Sequence, residues 1–361
     1  MKKIITIVGA RPQFIKLAAT SAPIRKYFHE VIVHTGQHYD YEMSRSFFEE
    51  LNIPDPDYNL EVGSDKPLKQ IAKMLIGLEE IIEKEKPDCF MVYGDTNSTA
   101  AGAIAASKYC VPLVHVEAGM REFNKTIPEE INKLITSALT DIHFCATHTA
   151  VKNLADMGIR EHVYMVGDVM IDHLFRLGKQ LKENTSILEE YGVRTGQYVF
   201  ATLHRASNTE NPERLKGIMH ALAQMPMDVV LPLHPRTHAF IEKYGFQDLL
   251  KPANIKVIKP IPFFPTQVLV SHARCVITDS GGLTKETYFH GVQGIITEDQ
   301  TEWLETLNHG WNTLTGANTE KILATFNQWK RPAEHAAVLG DGRASEHLAD
   351  ILNKVLQGQT K

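Results

Sequence analysis

The sequence predicts an α/β protein with two doubly wound units, each built around a parallel β-sheet, and three observations support this fold class. Short apolar runs typical of buried strands alternate with segments of helical periodicity along most of the chain. The alternation occurs twice, with a polar stretch at 182–197 between the two halves. The chain has 361 residues, enough for about two domains of the usual size. Such an alternation favours parallel sheets that helices cover on both faces.

The first half begins with an apolar strand at 3–8, and the next turn leads into a helix with Pro12 near its start. Further strands of this half are predicted at 31–33, 89–93, 112–116, 142–145 and 163–166, and helices at 43–51, 68–85 and 99–107. A helical face follows, formed by Met170, Leu174, Leu177 and Leu181. The second half has predicted strands at 198–202, 229–233, 255–258, 275–278 and 294–297, and a last helix at 345–356. Two such units predict a ligand site in the cleft between them, at the carboxyl ends of the strands.

Composition and charge narrow the class of protein. A hydrophobic content of 43% and a charged content of 22% are those of ordinary globular proteins. The net charge of −5, without a run of lysines and arginines, argues against a general nucleic-acid binder. No apolar run approaches the roughly 18 residues of a membrane span, and the N-terminus resembles a first strand more than a signal peptide. The cysteines are widely spaced and form no CxxC pair, which predicts reduced thiols and a cytoplasmic protein.

The turn after the fourth strand of the second half is the first candidate for an anion site. Asp279 or Ser280 can cap the helix that follows, and Gly281 and Gly282 allow a ligand to approach the backbone closely. The first turn of a helix offers unpaired N–H groups and the positive end of the helix dipole, which suit a phosphate. Glu286, further along, can accept hydrogen bonds from a sugar hydroxyl. The alternative is an ordinary capped strand-to-helix turn.

The first half places charged side chains at predicted strand ends, where α/β proteins carry their sites. Arg11 and Lys16 lie at a helix start and can pair with a phosphate or a carboxylate, although a solvated helix face is an equal alternative. Asp95 follows a strand, either as a helix cap or as a functional acid. Glu117 comes directly after a buried strand, where a carboxylate is costly unless it is paired or functional. Glu129 follows a proline, where an acid can simply complement the helix dipole.

In the second half, His204 and Arg205 end a strand and can bind phosphate or transfer a proton. The sequence has no GxGxxG after its first strand, no GxxxxGK[ST], and no GxSxG around Ser280, so these classes of site are not predicted. Two histidine pairs lack the HExxH pattern, so no metal site is predicted either. These pairs are His34 with His38 and His234 with His238. The remaining acids and cations suit an anionic, hydroxyl-rich ligand such as a nucleotide sugar, acted on by acid–base chemistry.

A series of short motifs occurs over nearly the whole chain. In order they are GARPQFIK at 9–16, TGQH at 35–38, GDT at 94–96, HVEAG at 115–119, PEEIN at 128–132, GDVM at 167–170, HR at 204–205, TDSGG at 278–282 and GDG at 340–342. Together, the motifs resemble the non-hydrolysing UDP-N-acetylglucosamine 2-epimerase family. The resemblance implies two Rossmann-like doubly wound domains that face each other across a cleft, the glycosyltransferase-B type of fold. It implies an N-terminal domain of residues 1–168 plus 345–361 with catalytic carboxylates, and a C-terminal UDP-binding domain of residues 169–344.

The resemblance also implies a reaction, the inversion of C2 in a UDP-linked 2-acetamido sugar through loss of UDP, a glycal intermediate and re-addition of UDP. The implied catalytic residues are Asp95, Glu117, Glu129 and His204. The implied substrate-binding residues are Arg11, Lys16, Ser280, Gly281, Gly282 and Glu286. No metal or nicotinamide cofactor is implied. The family analogy further implies a homodimer and a role in polysaccharide biosynthesis for the cell envelope.

Several positions depart from the family pattern. Ser207 stands where the family has glutamate, Glu298 where it has a basic residue, and Trp303 where it has an arginine. Asn124 and Lys133 replace a common aspartate and a common arginine. Trp303 is similar to a subgroup that acts on modified sugars such as UDP-2,3-diacetamido-2,3-dideoxyglucuronate, whereas the acidic Glu298 argues against a uronate. The alternatives are therefore a hydrolysing relative that releases UDP and free sugar, a non-catalytic UDP-sugar-binding protein, and a glycosyltransferase of the same fold.

Overall fold

The computed structural model describes residues 1–37, 48, 51 and 53–358. The chain forms two compact units. The first unit is Met1–Arg176 together with Leu339–Lys361, and the second unit is Leu177–Val338. The division falls inside a helix, Val169–Glu183, so the chain passes from the first unit to the second without a loop.

The first unit contains a seven-stranded parallel sheet with strand order β3-β2-β1-β4-β5-β6-β7. Its strands are β1 (Lys3–Val8), β2 (His29–His34), β3 (Tyr58–Asn59), β4 (Cys89–Tyr93), β5 (Leu113–Val116), β6 (Ile142–Cys145) and β7 (Val163–Met165). Its helices are α1 (Arg11–Arg25), α2 (Pro67–Glu85), α3 (Asn97–Lys108), α4 (Pro128–Leu139), α5 (His148–Asp156), α6 (Val169–Glu183) and α15 (Ala344–Leu356). Since β1, β4 and β5 are neighbours, the loops at their carboxyl ends lie side by side.

The core of the first unit forms because its central strands are apolar on both faces. All five residues of β4 are buried, as expected for a strand covered by helices above and below. The helix α3 lies close to this sheet: a Cβ atom on Gly102 would come within 2.7 Å of Ile7 and 2.8 Å of Val92. Glycine at this position therefore allows the close packing of α3 against the sheet.

The last helix, α15, belongs to the first unit and is tied to α6 by a buried acid. The carboxylate of Asp172 accepts hydrogen bonds from the backbone N–H groups of Ala344 (3.0 Å) and Ser345 (2.6 Å). It thereby satisfies N–H groups of the first turn of α15, which have no partner within the helix. Burial raises the pKa of Asp172, and these hydrogen bonds oppose the rise.

The second unit contains a six-stranded parallel sheet with strand order β10-β9-β8-β11-β12-β13. Its strands are β8 (Tyr198–Thr202), β9 (Asp228–Pro232), β10 (Ile255–Ile258), β11 (Cys275–Thr278), β12 (Gln293–Ile296) and β13 (Asn312–Leu314). Its helices are α7 (Ser186–Glu190), α8 (Ala206–Thr209), α9 (Pro212–Ala223), α10 (Pro235–Tyr244), α11 (Phe263–His272), α12 (Gly281–His290), α13 (Leu304–Asn308) and α14 (Thr319–Gln328). The order makes β8, β11 and β12 neighbours, so the loops that follow them are adjacent.

The predicted α/β class with parallel sheets is confirmed, and the predicted strands recur within about one or two residues at their ends, as such assignments usually do. Two short strands were not predicted, β3 and β13, because neither contains an apolar run. The polar stretch at 182–197 contains the short helix α7, whose Leu188 is buried. The predicted helix at 43–51 falls largely outside the described residues, as does His38. No helix in the described part of the chain is long and apolar enough to cross a membrane.

Candidate active site

An ion pair joins two of the predicted site residues of the first unit. The Nζ atom of Lys16, on α1, lies 2.5 Å from Oε1 of Glu117, which follows β5, and both side chains are largely buried. A Cβ atom on Gly94, which follows β4, would lie 3.1 Å from that Nζ atom and 3.6 Å from that Oε1 atom. Helix α1, which follows β1, and the loops after β4 and β5 therefore meet at this pair. Glu117 has a φ of +68°, a left-handed conformation that is uncommon for a residue other than glycine and frequent at functional sites.

Asp95 has its own cation. The Nζ atom of Lys133, on α4, lies 3.3 Å from Oδ2 of Asp95, and the Asn132 amide donates a hydrogen bond to the Asp95 carbonyl oxygen at 2.9 Å. The same Nζ atom lies 3.9 Å from a carboxylate oxygen of Glu122. Lys133, which departs from the arginine common in the family, therefore still supplies a positive charge beside the carboxylate of Asp95.

Two adjacent acids at the start of α4 have different environments. Glu130 is fully buried, and its Oε1 atom lies 2.6 Å from an Arg121 guanidinium nitrogen. Its Oε2 atom accepts a hydrogen bond from the Glu122 backbone N–H at 2.9 Å. Glu129, by contrast, is exposed. Of these two acids, Glu130 thus belongs to a buried ion pair, and the carboxylate of Glu129 is accessible to a ligand.

The turn that carries Arg11 is held by a side chain that the sequence did not single out. Gln13 accepts hydrogen bonds from the backbone N–H groups of Gly9 (2.8 Å) and Ala10 (3.1 Å). Its amide nitrogen donates to the carbonyl oxygen of Tyr93 at 2.9 Å, at the end of β4. Gln13 therefore fixes the turn between β1 and α1, on which Arg11 is partly exposed at the first helical residue. The available signal was a glutamine between Pro12 and the apolar residues Phe14 and Ile15.

His115, on β5, supports the loop at Gly94. Its Nε2 atom lies 2.7 Å from the carbonyl oxygen of Gly94, and it must donate the hydrogen since a carbonyl can only accept. Its Nδ1 atom has no hydrogen-bond partner among the described residues. Burial lowers the pKa of His115 to about 4, so the ring is neutral near pH 7. His115 therefore holds a loop that touches the Lys16–Glu117 pair, a role that its position inside a buried strand did not reveal.

In the second unit, the predicted anion site is a capped helix start. Ser280, and not Asp279, caps α12: its hydroxyl accepts a hydrogen bond from the Leu283 backbone N–H. A Cβ atom on Gly281 would lie 3.5 Å from an Arg205 guanidinium nitrogen, so this glycine brings the backbone close to a cation. A helix start with glycines and a nearby guanidinium suits a phosphate.

Asp279 binds the loop after β8 instead. Its carboxylate accepts hydrogen bonds from the backbone N–H groups of His204 (3.0 Å) and Arg205 (3.0 Å). It also lies 3.5 Å from Nδ1 of the His204 ring, which is 39% exposed and packs against His234 with 5.5 Å between ring centroids. Asp279 thus connects the end of β11 to the loop that carries the predicted catalytic histidine.

Glu286 is buried and held by an amide. The Gln267 side-chain nitrogen donates to Oε2 of Glu286 at 2.7 Å, and Nε2 of His290 lies 3.0 Å from the Gln267 side-chain oxygen. Because that oxygen can only accept, His290 carries a hydrogen on Nε2. Burial lowers the pKa of His290 to about 3, so the ring stays neutral. The three side chains form a chain of hydrogen bonds that sets the orientation of the Glu286 carboxylate.

Trp303 is buried and lies beside the start of α12. The Lys285 ammonium group is 4.2 Å from the centroid of the Trp303 ring, a cation–π geometry. The indole nitrogen would lie 3.7 Å from a Cβ atom on Gly281. The departure at position 303 therefore places an aromatic ring next to the predicted anion site.

Among the described residues, no cluster of histidine, cysteine and acidic side chains has the geometry to hold a metal ion, and the four cysteines are free.

The two Rossmann-like units, one with acids at its strand ends and one with a glycine-rich helix start, define an enzyme of the glycosyltransferase-B fold class. The family described as UDP-N-acetylglucosamine 2-epimerase matches residues 23–353. The chain belongs to the UDP-N-acetylglucosamine 2-epimerase family, as the sequence motifs predicted. This family membership makes the protein an isomerase-type enzyme.

Individual relatives cover the chain almost completely. A UDP-N-acetylglucosamine 2-epimerase homolog from Methanococcus maripaludis is 45% identical over 98% of this chain and 100% of its own length. The UDP-2,3-diacetamido-2,3-dideoxy-D-glucuronate 2-epimerase of Pseudomonas aeruginosa is 41% identical over 98% of this chain and 100% of its own length. The crystal structure of the Methanocaldococcus jannaschii UDP-GlcNAc 2-epimerase in complex with UDP-GlcNAc and UDP superposes with a TM-score of 0.90, at 36% identity, and covers 97% of this chain and 99% of that one.

Proposed function

We propose that the protein inverts C2 of a UDP-linked 2-acetamido sugar without hydrolysing it. The Lys16–Glu117 ion pair beside Gly94 carries this proposal, because it places a largely buried carboxylate and a cation together at the strand ends of a chain that belongs to this family. A carboxylate that a lysine holds in its charged form can accept a proton from carbon, and the lysine is a proton donor beside it.

The chemistry requires elimination because the C2 hydrogen of the sugar is not next to a carbonyl group. In the proposed reaction, a carboxylate removes the C2 proton while the C1–O bond to UDP breaks, which leaves a double bond between C1 and C2. Addition of UDP to C1 and return of a proton to the other face of C2 give the epimer, with no net loss of atoms. Acids are needed on both faces of C2, and we assign them to Glu117, Asp95 and Glu129 of the first unit.

The second unit would hold the nucleotide. The backbone N–H groups at Ser280, Gly281 and Gly282 and the Arg205 guanidinium would bind the pyrophosphate, and Glu286 would accept hydrogen bonds from the ribose. These donors stabilise the negative charge that develops on UDP as the C1–O bond breaks. His204 would donate a hydrogen bond to the same leaving group. In the first unit, Arg11 would contact the nucleotide or its phosphates.

A UDP-2,3-diacetamido uronic acid is the second candidate substrate, besides UDP-N-acetylglucosamine. It is favoured by the 41% identity to the Pseudomonas aeruginosa enzyme named for such a sugar. The acid at position 298 no longer argues strongly against it, because Oε1 of Glu298 accepts hydrogen bonds from Ser207 and Asn208. Trp303, beside the start of α12, is the residue through which we expect the sugar preference to act.

The experiment is to incubate the protein with UDP-N-acetylglucosamine or its 2,3-diacetamido uronic acid relative and to follow products by NMR. A non-hydrolysing epimerase gives a stable mixture of the two C2 epimers, still linked to UDP. Stoichiometric release of UDP and free sugar would identify the hydrolysing alternative. Tight binding of both UDP-sugars without any product would identify a non-catalytic binding protein.

We also propose a cytoplasmic homodimer that supplies a precursor for cell-envelope polysaccharide. The free thiols of the described chain support a reducing compartment, and the dimer rests on family analogy. Light scattering at micromolar concentration tests the dimer, and a monomer at all concentrations would contradict it.

A further inference from the structure

Two positions that depart separately from the family pattern are in direct contact. The hydroxyl of Ser207, on α8, donates a hydrogen bond to Oε1 of Glu298 at 2.6 Å, although the two residues are 91 positions apart in sequence. Glu298 follows β12, so the contact joins the loops at the ends of β8 and β12. A hydroxyl paired with a carboxylate thus stands where the family pattern places a glutamate and a basic residue.

Asn208 links this contact to the loop that carries His204. Its amide nitrogen donates to Oε1 of Glu298 at 2.9 Å and approaches Oδ2 of Asp279 at 3.3 Å. Its amide oxygen accepts a hydrogen bond from Nε of Arg214 at 2.9 Å, which fixes the orientation of the amide. Asn208 is fully buried and therefore joins two carboxylates away from solvent.

The network ends on the backbone of the predicted catalytic loop. Asp279, whose side chain is fully buried, accepts hydrogen bonds from the N–H groups of both His204 and Arg205. A shift of Asn208 would therefore move the carboxylate that holds these two residues. Buried polar networks of this kind are stabilising only when every polar group has a hydrogen-bond partner, so the loss of one partner also weakens the remaining hydrogen bonds.

We propose that Glu298 and Ser207 are positioning residues that, through Asn208 and Asp279, fix His204 and Arg205 for the C2 epimerisation. This inference rests on the proposed function. Glu298 is 9% exposed, and its Oε1 atom accepts hydrogen bonds from Ser207 and Asn208, so the carboxylate holds both side chains in place. Burial raises the pKa of Glu298 and the Asp279 charge adds to the rise, whereas the Ser207 hydrogen bond and the Arg205 and Arg214 charges oppose it.

An exchange of side chains tests the contact. Because Ser207 Oγ and Glu298 Oε1 are hydrogen-bonded, an acid at 207 and an arginine at 298 can form an ion pair. Ser207→Glu alone places a second acid against the Glu298 carboxylate, and Glu298→Arg alone puts a cation at a buried position and removes the acceptor of the Asn208 amide. Ser207→Glu and Glu298→Arg should each lower kcat/KM by about tenfold or more, and the double variant should recover to within about threefold of the native value. Asp248→Arg reverses an exposed charge of the same unit and should leave kcat/KM unchanged.

Backbone amide hydrogen exchange at His204 and Arg205 gives a readout that needs no substrate. We expect faster exchange in each single charge variant and native exchange in the double variant. Two mild variants guard against misfolding: Glu298→Gln, which keeps the acceptor oxygen, should retain slow exchange, and Glu298→Leu, of similar size, should lose it. In the UDP-sugar assay, kcat of Glu298→Leu should fall and kcat of Glu298→Gln should stay near native.

The outcomes separate this proposal from the proposed function. If the native protein epimerises no UDP-sugar, the proposed function fails, and amide exchange alone decides whether the network holds the loop. A double variant no better than the worse single variant in exchange or in kcat/KM overturns the positioning role. Native exchange in Glu298→Leu overturns it as well.

Discussion

The two units hold the carboxylates around their candidate sites in different ways. In the first unit, three of these acids are paired with cations: Lys16 with Glu117, Lys133 with Asp95, and Arg121 with Glu130. In the second unit, three of these acids accept hydrogen bonds from neutral groups. These are the backbone N–H groups at Asp279, the Gln267 amide at Glu286, and the Ser207 hydroxyl and Asn208 amide at Glu298.

The difference suggests a division of labour. A carboxylate beside a lysine is favoured in its charged form, ready to accept a proton from carbon, and the paired lysine can donate one, which suits proton transfer. A carboxylate held by amides and backbone N–H groups is a fixed acceptor, which suits recognition of hydroxyl groups or support of a loop. The first unit therefore matches the chemical step, and the second unit matches the binding of a nucleotide.

Replacing the paired carboxylate of the first unit should have the largest effect. Glu117→Gln removes the proposed base, and we expect kcat for C2 inversion to fall by about 10²–10⁴-fold, the usual contribution of a general acid or base. The dissociation constant for UDP, measured by calorimetry, should change little, because the nucleotide contacts are assigned mainly to the second unit. Glu80→Gln, at an exposed position of α2, should be silent in both assays. Turnover of Glu117→Gln at the native rate would remove Glu117 from the mechanism.

A methyl group at the helix start of the second unit should weaken UDP binding and leave kcat nearly unchanged, the opposite of the effect of Glu117→Gln. At Gly281, a Cβ atom would meet Arg205 and Trp303 only at ordinary contact distances, 3.5 and 3.7 Å, so Gly281→Ala should fold normally. The methyl group would nevertheless occupy the space where a phosphate approaches the backbone. We expect UDP to bind about tenfold more weakly, a change of about 1.4 kcal/mol, with kcat at saturation near native.

The matching glycine of the first unit provides the contrast. Gly94 has a φ of +61°, and a Cβ atom there would lie 3.1 Å from the Lys16 ammonium group. Gly94→Ala should therefore lower the thermal unfolding midpoint as well as kcat.

Equal UDP affinity in Gly281→Ala and the native protein would contradict the Gly281 prediction and show that the start of α12 does not bind the pyrophosphate.

Removing the side chain that supports Glu286 should have a smaller effect, and only on the binding of UDP. Gln267→Leu removes the amide that orients the Glu286 carboxylate and leaves Nε2 of His290 without its acceptor. We expect UDP affinity to fall by about threefold to tenfold, the range for one lost hydrogen bond, with kcat at saturating substrate near native. Gln224→Leu, at an exposed glutamine of the same unit, should change neither value. A fall in kcat with unchanged affinity would contradict the assignment of Glu286 to the nucleotide.

The last expected effect is on stability in acid. Burial lowers the pKa of His115 and His173 in the first unit to about 4 and that of His290 in the second unit to about 3. The unfolded chain binds protons at these rings below about pH 6.5 while the folded chain does not, so stability should fall as pH drops from about 6.5 to 4.

Replacing one of these histidines should make the free energy of unfolding less dependent on pH. In acid the unfolded chain binds more protons than the folded chain, and His173→Gln removes one of these extra protons. The slope of unfolding free energy against pH should therefore decrease by up to about 1.4 kcal/mol per pH unit within that window. Denaturant unfolding at a series of pH values measures the slope. His238→Gln, at an exposed ring, serves as the control, and an unchanged slope in His173→Gln would show that His173 is protonated in the folded state.

Much of the fold could be predicted from the sequence because buried parallel strands are continuous apolar runs. The edge strands β3 and β13 escaped prediction because short edge strands contain no such run. The single residues Lys16 and Glu117 could be named from their places at strand ends. Their pairing could not, since they are 101 positions apart and the sequence gives no register between the loops.

The supporting residues of the site were harder to find. Glu129 and Glu130 look alike in sequence, and only the structure shows that Glu130 is buried against Arg121. Gln13 and Gln267 lie inside buried helices, where a polar residue signals a partner but does not say which one. In the sequence, Ser207 and Glu298 are two separate departures from the family pattern. Their contact could not be predicted, because it depends on β8, β11 and β12 being neighbours in the sheet.

The central claim, that the protein breaks and remakes the C2–H bond of a UDP-2-acetamido sugar, is tested most directly by deuterium wash-in. The native protein is incubated in D₂O with UDP-N-acetylglucosamine and with the 2,3-diacetamido uronic acid analogue, and C2 is followed by NMR. We predict deuterium at C2 in both epimers of at least one of these sugars, without accumulation of free UDP. No deuterium at C2 of any UDP-2-acetamido sugar at millimolar concentration would contradict the claim.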